Sequence, residues 1–278
     1  MVADPVLMTV DELAGLVEAG TPPVLLDVRW SLEDPDGEDR YREGHIPGAV
    51  YVDLATELAD RGSPGRGRHP LPDVARLQDH ARRWGIDNGD TVVVYDDTGG
   101  LAAARAWWLL RWAGLKDVRL LDGGLPLWTA TGRALAAGPG EFVESGSVTL
   151  RGGYLPTVDI DEAGRYPARG TLLDARAAAR YRGDEEPVDP RAGHIPGAVS
   201  APATDNLRAD GTFRSAEELA ARFTALCGDR PVAVYCGSGI TATHDIAALA
   251  VAGIEAALFP GSWSQWCQDP AREVATGA

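Results

Sequence analysis

The chain repeats itself, and the repetition limits the folds open to it more than any other feature. The heptapeptide GHIPGAV occurs at residues 44–50 and again, 149 positions later, at 193–199. LLDVR at 25–29 is answered 147 positions on by LLDAR at 172–176, and VVVYDDTGG at 92–100 is answered 140 positions on by VAVYCGSGI at 232–240. Three matched segments in one order identify two copies of a single unit. The 278 residues suit two domains at roughly 100–200 residues each. We place these at 6–132 and 156–271, joined by a linker over 133–155 that is rich in Gly, Ala and Pro and lacks periodicity.

Each copy has the same grammar. Thr9 with Glu12 three residues on predicts a capping box that opens a helix. Short apolar runs at 24–28, 91–95 and 118–121 predict strands, as do 171–175, 232–235 and 256–259 in the second copy. Helical patterns fall between them, at 74–84 and 216–226. Strands alternating with helices predict an α/β fold with a parallel sheet in each domain.

Composition excludes several classes of function. The formal net charge of −15 opposes binding to nucleic acid or to an anionic membrane. No apolar run approaches the roughly 18 residues of a membrane span. The N-terminal stretch has neither the basic nor the apolar region of a signal peptide. Cys227, Cys236 and Cys267 are widely spaced and lack the rhythm of metal ligands, so no metal or cofactor is expected and a reducing, cytoplasmic setting is the simplest reading.

The sharpest chemical segment is 231–250, PVAVYCGSGITATHDIAALA. A strand ends at Tyr235, Cys236 follows, and Gly237-Ser238-Gly239-Ile240 make a tight loop before a helix expected to begin near Thr241. Ligands of open α/β sheets bind at the carboxyl ends of strands. Backbone N–H groups turned inward at a helix N-terminus stabilise an anion there, favouring the reactive thiolate and equally an outer persulfide sulfur. The bland alternative, a buried structural cysteine, needs no glycine-rich loop. Asp96 stands where Cys236 stands in the second copy, so the first copy is expected to be chemically inert and retained for packing and substrate enclosure, with a single active site between the two domains. A cysteine phosphatase would need an Arg six residues after its nucleophile, and that position is Ala242.

The paired GHIPGAV segments, the LLDVR and LLDAR strands and the CGSGIT loop resemble the tandem-domain rhodanese-like sulfurtransferases over nearly the whole chain. Within that family, thiosulfate-preferring members carry two basic residues after the cysteine. The loop here is similar to that of the 3-mercaptopyruvate sulfurtransferases, with Ile240 in place of Val before Thr241. The resemblance implies transfer of sulfane sulfur from 3-mercaptopyruvate through a Cys236 persulfide to a thiol such as thioredoxin, or to cyanide. It also implies a Ser238–His69–Asp53 arrangement that assists, and donor binding by Arg176, Arg180 and the loop residues Gly237, Gly239, Ile240 and Thr241. The stretch ADRGSPGRGRH between Asp53 and His69 is longer than the family pattern, which leaves His69 open to being a surface-loop histidine and Asp53 to being a helix cap. His45 and His194 occur in both copies and are read as packed, structural histidines. The alternatives are a thiosulfate sulfurtransferase, a non-catalytic sulfur-carrier module, and a redox switch at Cys227 or Cys267.

Overall fold

Both copies convert their short apolar runs into parallel sheets. The computed structural model describes residues 5–31, 37–60 and 65–278. The chain divides into one unit of Met1–Ala59, Pro72–Tyr154 and Arg208–Phe213, and a second of Asp60–Leu71, Leu155–Leu207 and Arg214–Ala278.

In the first unit, the described strands are β1 (Leu7–Met8), β2 (Val24–Asp27), β3 (Ala49–Tyr51), β4 (Val92–Tyr95) and β5 (Val118–Leu121), ordered β1-β5-β4-β2-β3. In the second they are β6 (Thr171–Asp174), β7 (Val199–Ser200), β8 (Val232–Tyr235) and β9 (Ala256–Leu258), ordered β7-β6-β8-β9. All these pairings are parallel. β4 and β8 read VVVY and VAVY and are buried along their whole length, as strands covered on both faces must be. The expected strands and helices are found within a residue or so of their predicted limits, including helices at Val74–Arg83 and Ala216–Cys227 and the Thr9–Glu12 capping box. β1 was not foreseen, because two residues carry no periodicity.

The repeated heptapeptide has the same job in both units. His45 stacks on Tyr41 with ring centroids 3.9 Å apart, and its Nδ1 lies 2.8 Å from the Tyr41 carbonyl. His194 does the same with Tyr181, at 3.8 and 2.8 Å. Tyr41 and Tyr181 donate to the carbonyls of Ala49 and Ala198. The hydroxyls of Tyr95 and Tyr235, at the ends of β4 and β8, accept from the N–H of Ile46 and Ile195. These histidines satisfy buried backbone groups, as expected of residues present in both copies.

The 133–155 stretch has no helix and no sheet strand, but it is not loose. Up to Tyr154 it packs on the first unit, with Gly146 donating to Arg82, Val148 to Ile86 and Arg151 to Ala113. Residues 65–71, which the sequence reading grouped with the first domain, pack instead with the second unit. Gln265 donates to the Gly65 carbonyl at 3.0 Å, and the Arg68 N–H donates to Ser264 at 3.0 Å. Gly67 has φ +88°, and a Cβ there would stand 2.5 Å from the Gly261 carbonyl oxygen, so only glycine permits this close approach.

Candidate active site

Cys236 directly follows β8, and the helix Thr241–Val251 begins five residues later. The cysteine is 1% exposed. The Gly239 N–H points at its Sγ from 3.1 Å. Gly239 has φ +80°, and a Cβ there would meet the Pro260 carbonyl oxygen at 2.5 Å, so the turn that aims this N–H requires glycine. The loop is pinned from behind. Trp263 donates to the Cys236 carbonyl and Ser264 to that of Gly237, both at 2.9 Å. The Cys236 N–H donates to the Ser262 hydroxyl at 3.2 Å. The sulfur is therefore held at a helix N-terminus, with an amide already directed at it.

Ser238 is buried beside it, and its Oγ lies 2.9 Å from Nδ1 of His69. His69 is thus no stray surface histidine. The segment that carries it is anchored to the second unit by the Gly65, Gly67 and Arg68 interactions. A hydroxyl paired with an imidazole next to a thiol can move a proton.

The arginines divide into two kinds. Arg176 is 3% exposed and engaged at all three of its nitrogens. Its Nε and Nη2 donate to Asp174 at 3.0 and 2.6 Å, its Nη2 to the Gly193 carbonyl at 2.7 Å, and its Nη1 to Glu186 at 3.3 Å. Burial would pull its pKa down, but Asp174 holds it above the ordinary arginine value. Arg29 repeats the arrangement in the first unit, with Asp27 and the Gly44 carbonyl as partners. The bonds to the aspartate and to the glycine carbonyl, common to both copies, secure the turn before the heptapeptide. These bonds take up Nε, Nη2 and one direction of Nη1 in Arg176. Arg180 is different. Its Nη1 lies 3.5 Å from where a Cβ on Gly237 would be, and Nη2 of Arg68 lies 3.2 Å from the same point. Arg68, which the sequence reading did not single out, therefore faces the catalytic loop.

The rhodanese-like domain model matches residues 9–131 and 159–269. The chain belongs to the rhodanese family. It is 50% identical, over 98% of its length and 97% of the relative's, to a Mycobacterium tuberculosis protein provisionally named thiosulfate sulfurtransferase SseB. It is 47% identical, over 98% of both chains, to a Pseudomonas aeruginosa protein provisionally named 3-mercaptopyruvate sulfurtransferase. The crystal structure of SseA from Escherichia coli, described as a 3-mercaptopyruvate sulfotransferase, superposes with a TM-score of 0.81 at 31% identity, covering 94% of this chain and 99% of that one.

The rhodanese frame clarifies the remaining candidates. Ile240 and Thr241 close the loop and open the helix; Thr241 is its first residue. Asp53 belongs to the first unit, where it caps the helix Leu54–Glu57 by accepting from the N–H groups of Ala55 and Thr56 and from the Thr56 hydroxyl. It also lines a cavity of about 840 Å³ with Glu38, Asp39, Glu57, His80 and Arg83. Cys227 and Cys267 are buried, and burial raises both thiols, Cys267 to about 11. A buried, protonated thiol is a poor nucleophile for thiol exchange. His244 is buried on the helix behind the loop, near Asn206. Among the described residues no helix is long and apolar enough to cross a membrane.

Proposed function

We propose that this chain is a 3-mercaptopyruvate sulfurtransferase working by double displacement through Cys236. The observation that carries the reading is the loop: a cysteine with an amide on its sulfur, a Ser238–His69 pair beside it, and no basic residue within the loop.

In the first step the Cys236 thiolate attacks the donor sulfur. The C–S electron pair leaves on carbon as the enolate of pyruvate, which takes a proton, and Cys236 becomes a persulfide. Backbone N–H groups of the loop support the negative sulfur. Ser238 and His69 handle the proton, and Arg180 meets the donor's carboxylate. Ile240, Thr241 and the two glycines shape the walls. Asp53 would assist as a third member only by orienting His69. In the second step an acceptor thiol, such as thioredoxin or a small thiol, or cyanide, attacks the outer sulfur and restores the thiolate. A setting inside the cytoplasm fits the thiol chemistry.

Thiosulfate as donor is the second reading, favoured by the name of the Mycobacterium tuberculosis relative. The deciding experiment compares kcat/KM for the two donors with cyanide as acceptor and Cys236→Ser as blank. A clear preference for 3-mercaptopyruvate is expected; a preference for thiosulfate would keep the nucleophile and discard the donor. A persulfide that forms but never turns over with any small acceptor would favour the carrier reading instead.

A further inference from the structure

The two copies differ beside the nucleophile in a way that marks where a donor binds. Arg40 and Arg180 hold equivalent places, each preceding the tyrosine that stacks on the heptapeptide histidine. In the first unit Arg40 Nη1 donates to Asp97 at 2.6 Å. Asp97 is the residue after Asp96, so its counterpart is Gly237, the residue after Cys236. The inert copy thus carries a built-in carboxylate on this arginine. The second copy has glycine there, and the space over Gly237 is faced by Arg180 and, from another segment, by Arg68.

The two guanidiniums are restrained by carboxylates. Arg180 donates to Glu186 at 2.5 Å and to Asp189 at 3.4 Å, and Arg68 Nη1 donates to Asp189. The side chains of Glu186 and Asp189 are 4% and 3% exposed. Nε of Arg68 is buried and has no hydrogen-bond partner. Glu186 is shared with Arg176, which Asp174 also holds, so the linked cations and anions balance and leave directed donors without a large net positive charge. Such a site grips a single carboxylate by geometry, while a compact dianion gains little from it.

Resting on the sulfurtransferase reading, we propose that the donor's carboxylate sits over Gly237 between Arg68 and Arg180, in the place Asp97 occupies in the inert copy, and that Asp189 restrains this clamp so that it selects singly charged donors over thiosulfate. Arg68 is then a donor-binding residue, and Asp189 a positioning residue acting through both arginines.

The test uses the full chain, two donors with cyanide as acceptor, and pyruvate as a binding probe in calorimetry. Arg68→Gln should raise KM for 3-mercaptopyruvate and weaken pyruvate binding, each about tenfold, with kcat little changed, and Arg68→Lys should recover part of the loss. Asp189→Asn should shift the thiosulfate to mercaptopyruvate ratio of kcat/KM toward thiosulfate by about tenfold. Gly237→Asp, which copies the inert unit, should abolish pyruvate binding while the melting temperature holds. Unchanged pyruvate binding in Arg68→Gln, or an unchanged donor ratio in Asp189→Asn that melts like the parent, overturns the proposal. If Asp189→Asn does not fold, Glu186→Gln gives the same charge change, and its donor ratio decides in the same way. If the parent chain transfers sulfur from neither donor, the functional reading has failed, whereas the pyruvate measurement still decides the site.

Discussion

The loops after β4 and β8 start alike, with Gly99 at φ +75° and Gly239 at φ +80°, then part at Gly100 (φ +88°) and Ile240 (φ −90°), and they have opposite contents. Asp96 and Cys236 both follow a VxVY strand, and the next turn of backbone donates to them: Leu125 to the Asp96 carbonyl and Trp263 to the Cys236 carbonyl, each at 2.9 Å. The Asp96 carboxylate is fully buried and accepts from the N–H groups of Thr98, Gly100 and Ala102 at 2.8 Å and of Ala103 at 2.9 Å. Four amides closing on one carboxylate identify the loop as an anion cradle. The first copy fills it permanently. The second copy puts a thiol at the same position, reached by the Gly239 N–H at 3.1 Å. The lesson is that the cradle is inherited and the chemistry comes from what is left out of it: a carboxylate at 96 and another at 97, replaced by a thiol and a hydrogen atom.

A second difference lies behind the loops. Gly124 and Ser262 have nearly the same backbone, at φ +54° and +53°, and Ser262 is the one non-glycine residue with positive φ among the described residues. The inert copy uses glycine, for which this conformation is unstrained. The active copy accepts strain of about 1–3 kcal/mol to place a hydroxyl that accepts from the Cys236 N–H and donates to the Phe259 carbonyl. Further down the helices, buried Arg105 donates to the Leu58 carbonyl, while its counterpart Asp245 accepts from Asn206 at 2.6 Å.

Substitutions in both copies break or sharpen this comparison. Cys236→Ser removes the nucleophile and should lower turnover by about four orders of magnitude or more, measured as thiocyanate formation. Adding Asp96→Cys to that variant should restore nothing, because Asp97 still occupies the carboxylate position; recovered turnover would show that the first cradle is competent. Asp96→Ala leaves the buried N–H groups of Gly100, Ala102 and Ala103 without an acceptor and should destabilise the protein by about 3–5 kcal/mol in denaturant melts. A change below about 1 kcal/mol would mean that the cradle closes without its anion.

Asp245 gives a pH signature confined to the second copy. Burial lifts its carboxyl from 3.8 to about 7. The folded state holds a proton that the unfolded chain releases, so this group's contribution is fully present below about 4, is lost as pH rises, and levels off above 7. Asp245→Asn should flatten that loss and be more stable than the parent by about 2–4 kcal/mol at alkaline pH; equal slopes of stability against pH in the two proteins would count against a protonated Asp245. Ser238→Ala should lower kcat by about 10- to 100-fold and alter the pH profile of kcat, with His69→Asn no worse than additive. The smallest effect is expected from Ser262→Gly, which makes the active copy resemble the inert one. Stability should change by less than about 1 kcal/mol, as relieved strain offsets lost hydrogen bonds, while kcat falls a few-fold. A clear loss of stability with kcat intact would make Ser262 a purely structural residue.

Much of the fold was legible because the repeat supplied its own control. Matched segments located β2, β4, β6 and β8, and residues common to both copies, such as His45 and His194, were separable from Cys236, which occurs in one. The same control separates what Arg176 shares with Arg29, the bonds to the preceding aspartate and to the glycine of the heptapeptide, from what it has alone, the bond to Glu186. The two-residue strand β1 had no pattern to detect. Arg68 was hidden for another reason: it lies in a Gly- and Arg-rich stretch with no periodicity, and its position depends on segment 65–71 crossing the residues around Gly261.

The sequence by itself determined the two parallel α/β units, the single nucleophile and the glycine-bounded turn that must hold it, because strand patterning, helix starts and backbone freedom are local properties. Only the tertiary structure decided which charged groups meet over Gly237. That outcome depends on Arg68, Arg180, Glu186 and Asp189 arriving from separate segments, as His69 arrives beside Ser238 from 169 positions away, and no local rule carries the direction of a side chain across such a distance.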